Sequence, residues 1–303
     1  MSQPFKAFWT LVSGLFVAQS AWTQEGLLWR VSGHGHTGYV YGTMHTADSI
    51  VNSMDSTVYN ALYRCNTLLL EGDMGALPDP LMMVDLMRMD QTILSDLFSP
   101  EEFTEINAYL ESHLGTMGML LKDEVCPIFI MLMLQQQSEV NRTTMEQEQF
   151  LEEAMDMRFH RLASQHGLAT IGLETWSEQM EKVSSIDLQT QAKLLLETTR
   201  GKIFSNVLID DMVGSYYRQD LTEMANAVDT SDSLQMKMYD RILFDRNDQF
   251  VARALPYFKN GPTFMAVGAL HLAGERSVLT MLQNNGFTIE RVPFAFLKYK
   301  PTK

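Results

Sequence analysis

Tyr39-Val40-Tyr41-Gly42-Thr43-Met44-His45-Thr46-Ala47 and Met265-Ala266-Val267-Gly268-Ala269-Leu270-His271-Leu272-Ala273 stand near opposite ends of the chain and read alike. Each is a short apolar run, then Gly-x-x-His-x-Ala, then a segment with helical periodicity. A strand, a tight turn and a helix, met twice, predict an α/β (α+β) fold. Two pseudo-repeated strand-GxxH-helix-strand halves would form its central sheet, with a large helical insertion between them. In open α/β sheets, ligands gather beyond the carboxyl ends of the strands. His45 and His271 are therefore candidates to meet in one crevice, and a neutral imidazole is the commonest metal ligand among side chains.

Two further strand ends carry carboxylates. Thr67-Leu68-Leu69-Leu70 closes on Glu71-Gly72-Asp73, and Ala169-Thr170-Ile171-Gly172-Leu173 closes on Glu174-Thr175. A charge directly after a buried strand is costly unless it is paired or bound. Two histidines with a carboxylate and one open position form a known catalytic metal arrangement. The ordinary readings stand beside this one. Gly after a strand is common turn punctuation, and a single G-x-x-H is weak evidence. A strand-end Glu also caps helices or pairs with a surface Lys or Arg. The repetition of the motif in one context favours the site.

The ordered set of motifs resembles the TraB/PrgY/GumN family, which includes the TIKI metalloproteases. It runs from Leu27-Leu28-Trp29-Arg30 through Gly42-Thr43-Met44-His45 and Leu70-Glu71-Gly72-Asp73. Gly172-Leu173-Glu174-Thr175 with Gln179 follows, then Asp245-Arg246-Asn247, Val267-Gly268-Ala269-Leu270-His271-Leu272-Ala273-Gly274-Glu275 and the ending Leu282 to Glu290. The resemblance implies a metal-dependent hydrolase, most plainly a peptidase, and puts Arg246 and Asn247 near the site. On that reading His45 and His271 bind a divalent metal (manganese, cobalt or zinc), and Glu71 is a ligand or general base. Glu174 is a second acidic partner, and Arg246 with Asn247 holds a developing oxyanion or the substrate. For Arg246 the ordinary alternative is a salt bridge to an acid on a neighbouring turn. The competing function is non-catalytic: a regulatory protein that sequesters a peptide or small ligand in the same crevice. H-E-x-x-H is absent, which excludes ordinary zincin geometry, and the absence of a G-x-S-x-G nucleophile elbow makes a serine hydrolase the weakest alternative.

Composition narrows the partners. The 303 residues carry a formal charge of −14, the reverse of the basic stripe that nucleic acid requires. The same acidity disfavours docking to anionic lipid. A peptide or small molecule is the expected substrate, and the oligomeric state has no sequence signal. At the N-terminus, Lys6, the uncharged run Ala7 to Val17 and the small residues Ala18, Ser20 and Ala21 read as an export signal over 1–21. An uncleaved anchor is the alternative. The expected product is a periplasmic or secreted protein, one domain over 22–303, with no stable membrane span after cleavage. Cys65 and Cys126 allow a single disulfide.

Between the motifs, Gly26 to Tyr41 reads as a hairpin with its turn at Ser32 to Gly38, which places His34 and His36 in a solvated loop. Asp55 to Cys65 reads as a helix. Residues 80–166 are mostly helical, with Ser99-Pro100-Glu101-Glu102 a well-formed start. Most of the 22 methionines belong to a helical core at this spacing. Ser184 to Met224 reads as helical, and Tyr239 to Leu255 as one long helix bearing Arg246 and Asn247.

Overall fold

The computed structural model describes residues 25–44, 49–75, 79–114, 116, 119, 122–141, 154–203, 206–226 and 232–299. The expected export signal and His45 lie outside the described residues. Among the described residues there are six strands: β1 (Leu28–Gly33), β2 (His36–Thr43), β3 (Thr67–Gly72), β4 (Ala169–Glu174), β5 (Thr263–Gly268) and β6 (Thr288–Arg291). They form one sheet in the order β4-β3-β5-β2-β1-β6. The fold is mixed α/β, as the sequence predicts.

The strand sequences explain the arrangement. Leu68-Leu69-Leu70 in β3 and Phe264-Met265-Ala266-Val267 in β5 are fully buried, the continuous apolar pattern of parallel strands covered on both faces. β4, β3, β5 and β2 are parallel, so all four carboxyl ends lie along one edge. β1 pairs antiparallel with β2, and β6 antiparallel with β1. β5 lies between β2 and β3, so the two Gly-x-x-His strands are direct neighbours, with Thr43 opposite Gly268.

The hairpin turn is tighter than the Ser32 to Gly38 segment expected. Only His34 and Gly35 turn, both with positive φ (53° and 81°), and the ladder resumes at His36 opposite Gly33. Positive φ at both central residues is the two-residue hairpin geometry that suits strand twist. His36 thus begins β2 instead of lying in a loop, while exposed His34 sits beside the Phe287 ring.

The helices within 80–166 divide between two cores. One apolar cluster under the helices takes Ile106 and Leu110 from Pro100–His113, Phe129 and Ile130 from Pro127–Asn141, and Leu194 and Leu195 from Leu188–Thr199. Met155, Phe159 and Ala163, on Met155–Gln165, pack instead into the sheet core. Helical periodicity shows that a face is buried, but not against which partner. The Ser184 to Met224 run is broken into separate helices, with Asp187 capping the Leu188–Thr199 helix through Thr190 N–H.

Cys65 belongs to the sheet cluster and Cys126 to the helical one, and both are free, buried thiols. Burial pushes the Cys65 thiol up to about 12. Among the described residues no helix is long and apolar enough to cross a membrane.

Candidate functional site

Glu174 ends β4, Glu71 stands one residue before the end of β3, and His271 sits in the 3-10 turn Ala269–Leu272 that follows β5. The strand order brings these three together at the shared carboxyl edge. Arg246 and Asn247 arrive from the first turn of the Asp245–Asn260 helix. That helix continues Ser233–Tyr239 through a π-helical turn, Asp240–Phe244. The expected single helix from Tyr239 to Leu255 is thus interrupted at its start. The joint is where the run passes between cores: Met238, Tyr239 and Leu243 face the helical cluster, while Phe250, Val251 and Ala254 face the sheet. A π-turn inserts one residue, which rotates the following side chains by about 100° relative to an unbroken α-helix.

Arg246 is almost fully buried, and both strand-end glutamates meet it. Its Nε and Nη2 donate to Glu174 Oε1 at 2.9 and 2.5 Å, and Nη2 also donates to Glu71 Oε2 at 2.6 Å. Its Nη1 donates to the Ile242 carbonyl at 3.1 Å, and the guanidinium lies 5.0 Å from the Phe250 ring centre. Burial works against this charge, but Glu71 and Glu174 outweigh it and hold the guanidinium above its usual range. The salt bridge is therefore not to a neighbouring turn: its partners are 72 and 175 residues away.

Glu174 has no exposed side-chain surface, and its other oxygen receives Lys182 Nζ at 3.3 Å. It does not cap the next helix. Thr175 does so, accepting from Glu178 N–H while Glu178 accepts from Thr175 N–H, a reciprocal capping pair. Lys182 also donates to Gln249 on the Asp245–Asn260 helix. Two carboxylates and two cations thus share the cluster.

The second oxygen of Glu71 faces the other way. Glu71 Oε1 accepts from Gly268 N–H at 2.6 Å and stands 3.6 Å from His271 Nε2. A Cβ at position 268 would lie 3.3 Å from Glu71 Oε1, so glycine leaves room for this approach. His271 Nδ1 meets Asn247 Oδ1 at 2.6 Å, and Asn247 Nδ2 donates to the Arg276 carbonyl at 2.7 Å. Both ends of the fully buried Asn247 amide are engaged by the protein. Burial, helped by the charges of Arg246 and Lys182, pushes the His271 imidazole down to about 4 against the pull of Glu71. The ring is neutral near pH 7.

The chemistry of this donor pair suits a divalent cation: an imidazole nitrogen and a carboxylate oxygen are borderline and hard ligands for manganese, cobalt or zinc. Their 3.6 Å separation lies within the span of two bonds of about 2 Å. No group of three His, Cys, Asp or Glu close enough to hold an ion occurs among the described residues, and His45 lies outside them.

Four participants escaped the sequence reading. Lys182 and Gln249 carry no local signal, since neither lies in a motif and their meeting depends on two helices crossing. The Gly268 N–H is invisible as a side chain. Phe250, one helical turn after Arg246 on the apolar stripe, was legible only as core.

A mixed α/β protein with a charge-paired carboxylate–imidazole cluster at the carboxyl edge of its parallel strands is the class that fold and site define. Within it, the chain belongs to the TraB/PrgY/gumN family, whose profile matches residues 27–291. No curated protein and no solved structure matches it.

Proposed function

We propose that the chain is an exported, divalent-metal-dependent hydrolase acting on peptides at this strand edge. The observation that carries the reading is the pair His271 Nε2 and Glu71 Oε1, two electron-pair donors facing each other at 3.6 Å in a buried setting. That distance is too long for a direct hydrogen bond. His271, Glu71 and His45, the residue that the repeated motif adds, would hold the ion. When bound, the ion supplies a water of lowered pKa and polarises a carbonyl. Arg246 fixes one oxygen of Glu71, which leaves the other directed at His271. Glu174 and Lys182 brace Arg246 from behind.

The internal balance of charge favours a second reading, sequestration of a peptide or small ligand without turnover. Glu71 and Glu174 already have Arg246 and Lys182 as counterions, so the cluster holds no excess of negative charge. Purified mature chain decides between them. Metal content is measured, and peptide cleavage and melting are followed with manganese, cobalt or zinc and with chelator. Metal-dependent cleavage that chelator removes supports the hydrolase. Ligand binding with no turnover under any metal supports sequestration.

A further inference from the structure

We infer that Asn247 is a positioning residue, which holds the His271 imidazole as the Nδ1–H tautomer so that its Nε2 lone pair faces Glu71. The inference deepens the metal-site reading and rests on it only for the identity of what enters the gap. The steps are geometric. Asn247 Nδ2 donates to the Arg276 carbonyl at 2.7 Å, which sets the amide with nitrogen toward Arg276 and oxygen toward His271. An amide oxygen only accepts, so the 2.6 Å contact to Nδ1 requires the proton on Nδ1. The other ring nitrogen then carries the lone pair, and it is the one that looks toward Glu71 Oε1.

The surroundings lock this choice. Asn247 is completely buried and His271 almost so, with the Phe250 ring 5.1 Å from the imidazole. The Arg276 loop is itself anchored: the Arg276 side chain pairs with Asp240 at 2.7 Å and lies over Phe244 at 4.2 Å. The π-turn residues thereby fix the carbonyl that fixes the amide that fixes the ring. In metal sites, such outer partners of a ligating histidine set its tautomer and orientation. Asn247 thus acts through His271, with its amide already occupied by the protein at both ends.

The test begins with metal-free protein. In nitrogen-15-labelled chain, long-range proton–nitrogen spectra report which ring nitrogen of each of the seven histidines is protonated. The His271 signals are identified by their loss in His271→Gln. The expected result near neutral pH is a protonated Nδ1 and a bare Nε2, and the reverse would overturn the inference without any further variant. Asn247→Ala should lose this preference and weaken zinc binding, measured by calorimetry, by about 10–100-fold. Asn247→Asp keeps an acceptor oxygen and should retain the Nδ1–H form. Should Asn247→Ala fold poorly, the wild-type and Asn247→Asp spectra still decide. An Asn247→Ala chain that keeps both tautomer and zinc affinity rejects the role. Wild type that takes up no zinc, yet shows an Nδ1–H form lost in Asn247→Ala, defeats the metal reading while this inference stands.

Discussion

Arg246 and Glu174 meet through two donors on one carboxylate oxygen, at 2.9 and 2.5 Å, in a place where the glutamate side chain has no exposure. Two charges removed from water in this way are held together by their geometry, and removing one leaves the other stranded. The site is thus built on an ion-paired foundation, and the four groups differ in what each contributes.

Glu174→Gln should be chiefly a stability variant. It strands Arg246 with Glu71 alone and leaves Lys182 without its carboxylate, and breaking a buried pair costs about 3–5 kcal/mol. Urea unfolding of the wild type and the variant measures this, and a loss below about 1 kcal/mol would refute the bracing role.

Glu71→Gln should show the opposite balance. Its carboxylate is partly accessible, and Arg246 keeps Glu174 when the charge at 71 is removed. Less stability should be lost than in Glu174→Gln, while metal-dependent melting shifts and cleavage disappear. Should Glu71→Gln retain as much activity as Glu174→Gln, the assignment of Glu71 to the ion would fail.

His271→Ala bears on both folding and function. The motif alone gives no reason for this imidazole to matter to the fold, but the ring is buried and satisfies the Asn247 oxygen. An orphaned buried acceptor costs about 1–3 kcal/mol, so the variant should melt measurably below wild type as well as losing its metal response. The same metal titration on His45→Ala tests the partner motif, and an undiminished metal response there would remove His45 from the site.

Gly172 is a steric requirement of the edge that carries Glu71. A Cβ there would lie 2.5 Å from the backbone nitrogen of Asp73 and 2.6 Å from its Cα. Backbone cannot swing aside as a flexible side chain does, so Gly172→Ala should destabilise by about 1–3 kcal/mol. It should also reduce activity, because the displaced segment adjoins Glu71. Wild-type stability in chemical denaturation would refute the crowding.

The rim has a pH-dependent clamp. Arg253 donates to both oxygens of Glu178 at 2.8 and 2.6 Å and, with Thr175 N–H, holds this carboxyl down to about 2. The folded value lies below the ordinary 4.5, so the contribution is complete above about pH 4.5 and fades as pH falls toward 2. Both side chains are more than a third exposed, which limits the pair to about 1 kcal/mol or less. Glu178→Gln keeps the helix-capping pattern while removing the charge. The stability gap between wild type and Glu178→Gln should therefore be present at pH 7 and gone near pH 2, and a gap independent of pH would contradict the clamp.

Much of this was visible along the chain because the signals are local. Apolar runs ending in Gly-Thr-Met-His, Glu-Gly-Asp, Glu-Thr and Gly-Ala-Leu-His marked the four parallel strands and their ends. Ser99 and Pro100 marked a helix start that the structure reproduces, with Ser99 and Glu102 closing a reciprocal cap. Asp55, just before the Ser56–Tyr63 helix, accepts from Thr57 N–H as a cap. Boundaries failed where a backbone event had no compositional sign. The His34–Gly35 turn needed left-handed φ at a histidine, and the π-turn before Arg246 lies within an ordinary helical pattern.

By itself, the sequence determined the elements, the class of fold and the residues that end at the sheet edge, because side-chain periodicity and turn chemistry act over a few neighbouring positions. Tertiary structure alone decided that β5 enters between β2 and β3, that Cys65 and Cys126 belong to separate cores, and that Arg246 joins Glu71 to Glu174. It also decided that Asn247 holds His271. Those outcomes depend on which strand ends become neighbours, and strand order is settled by packing between segments far apart in the chain. A buried charge announces that it needs a partner, but only the folded sheet selects which one.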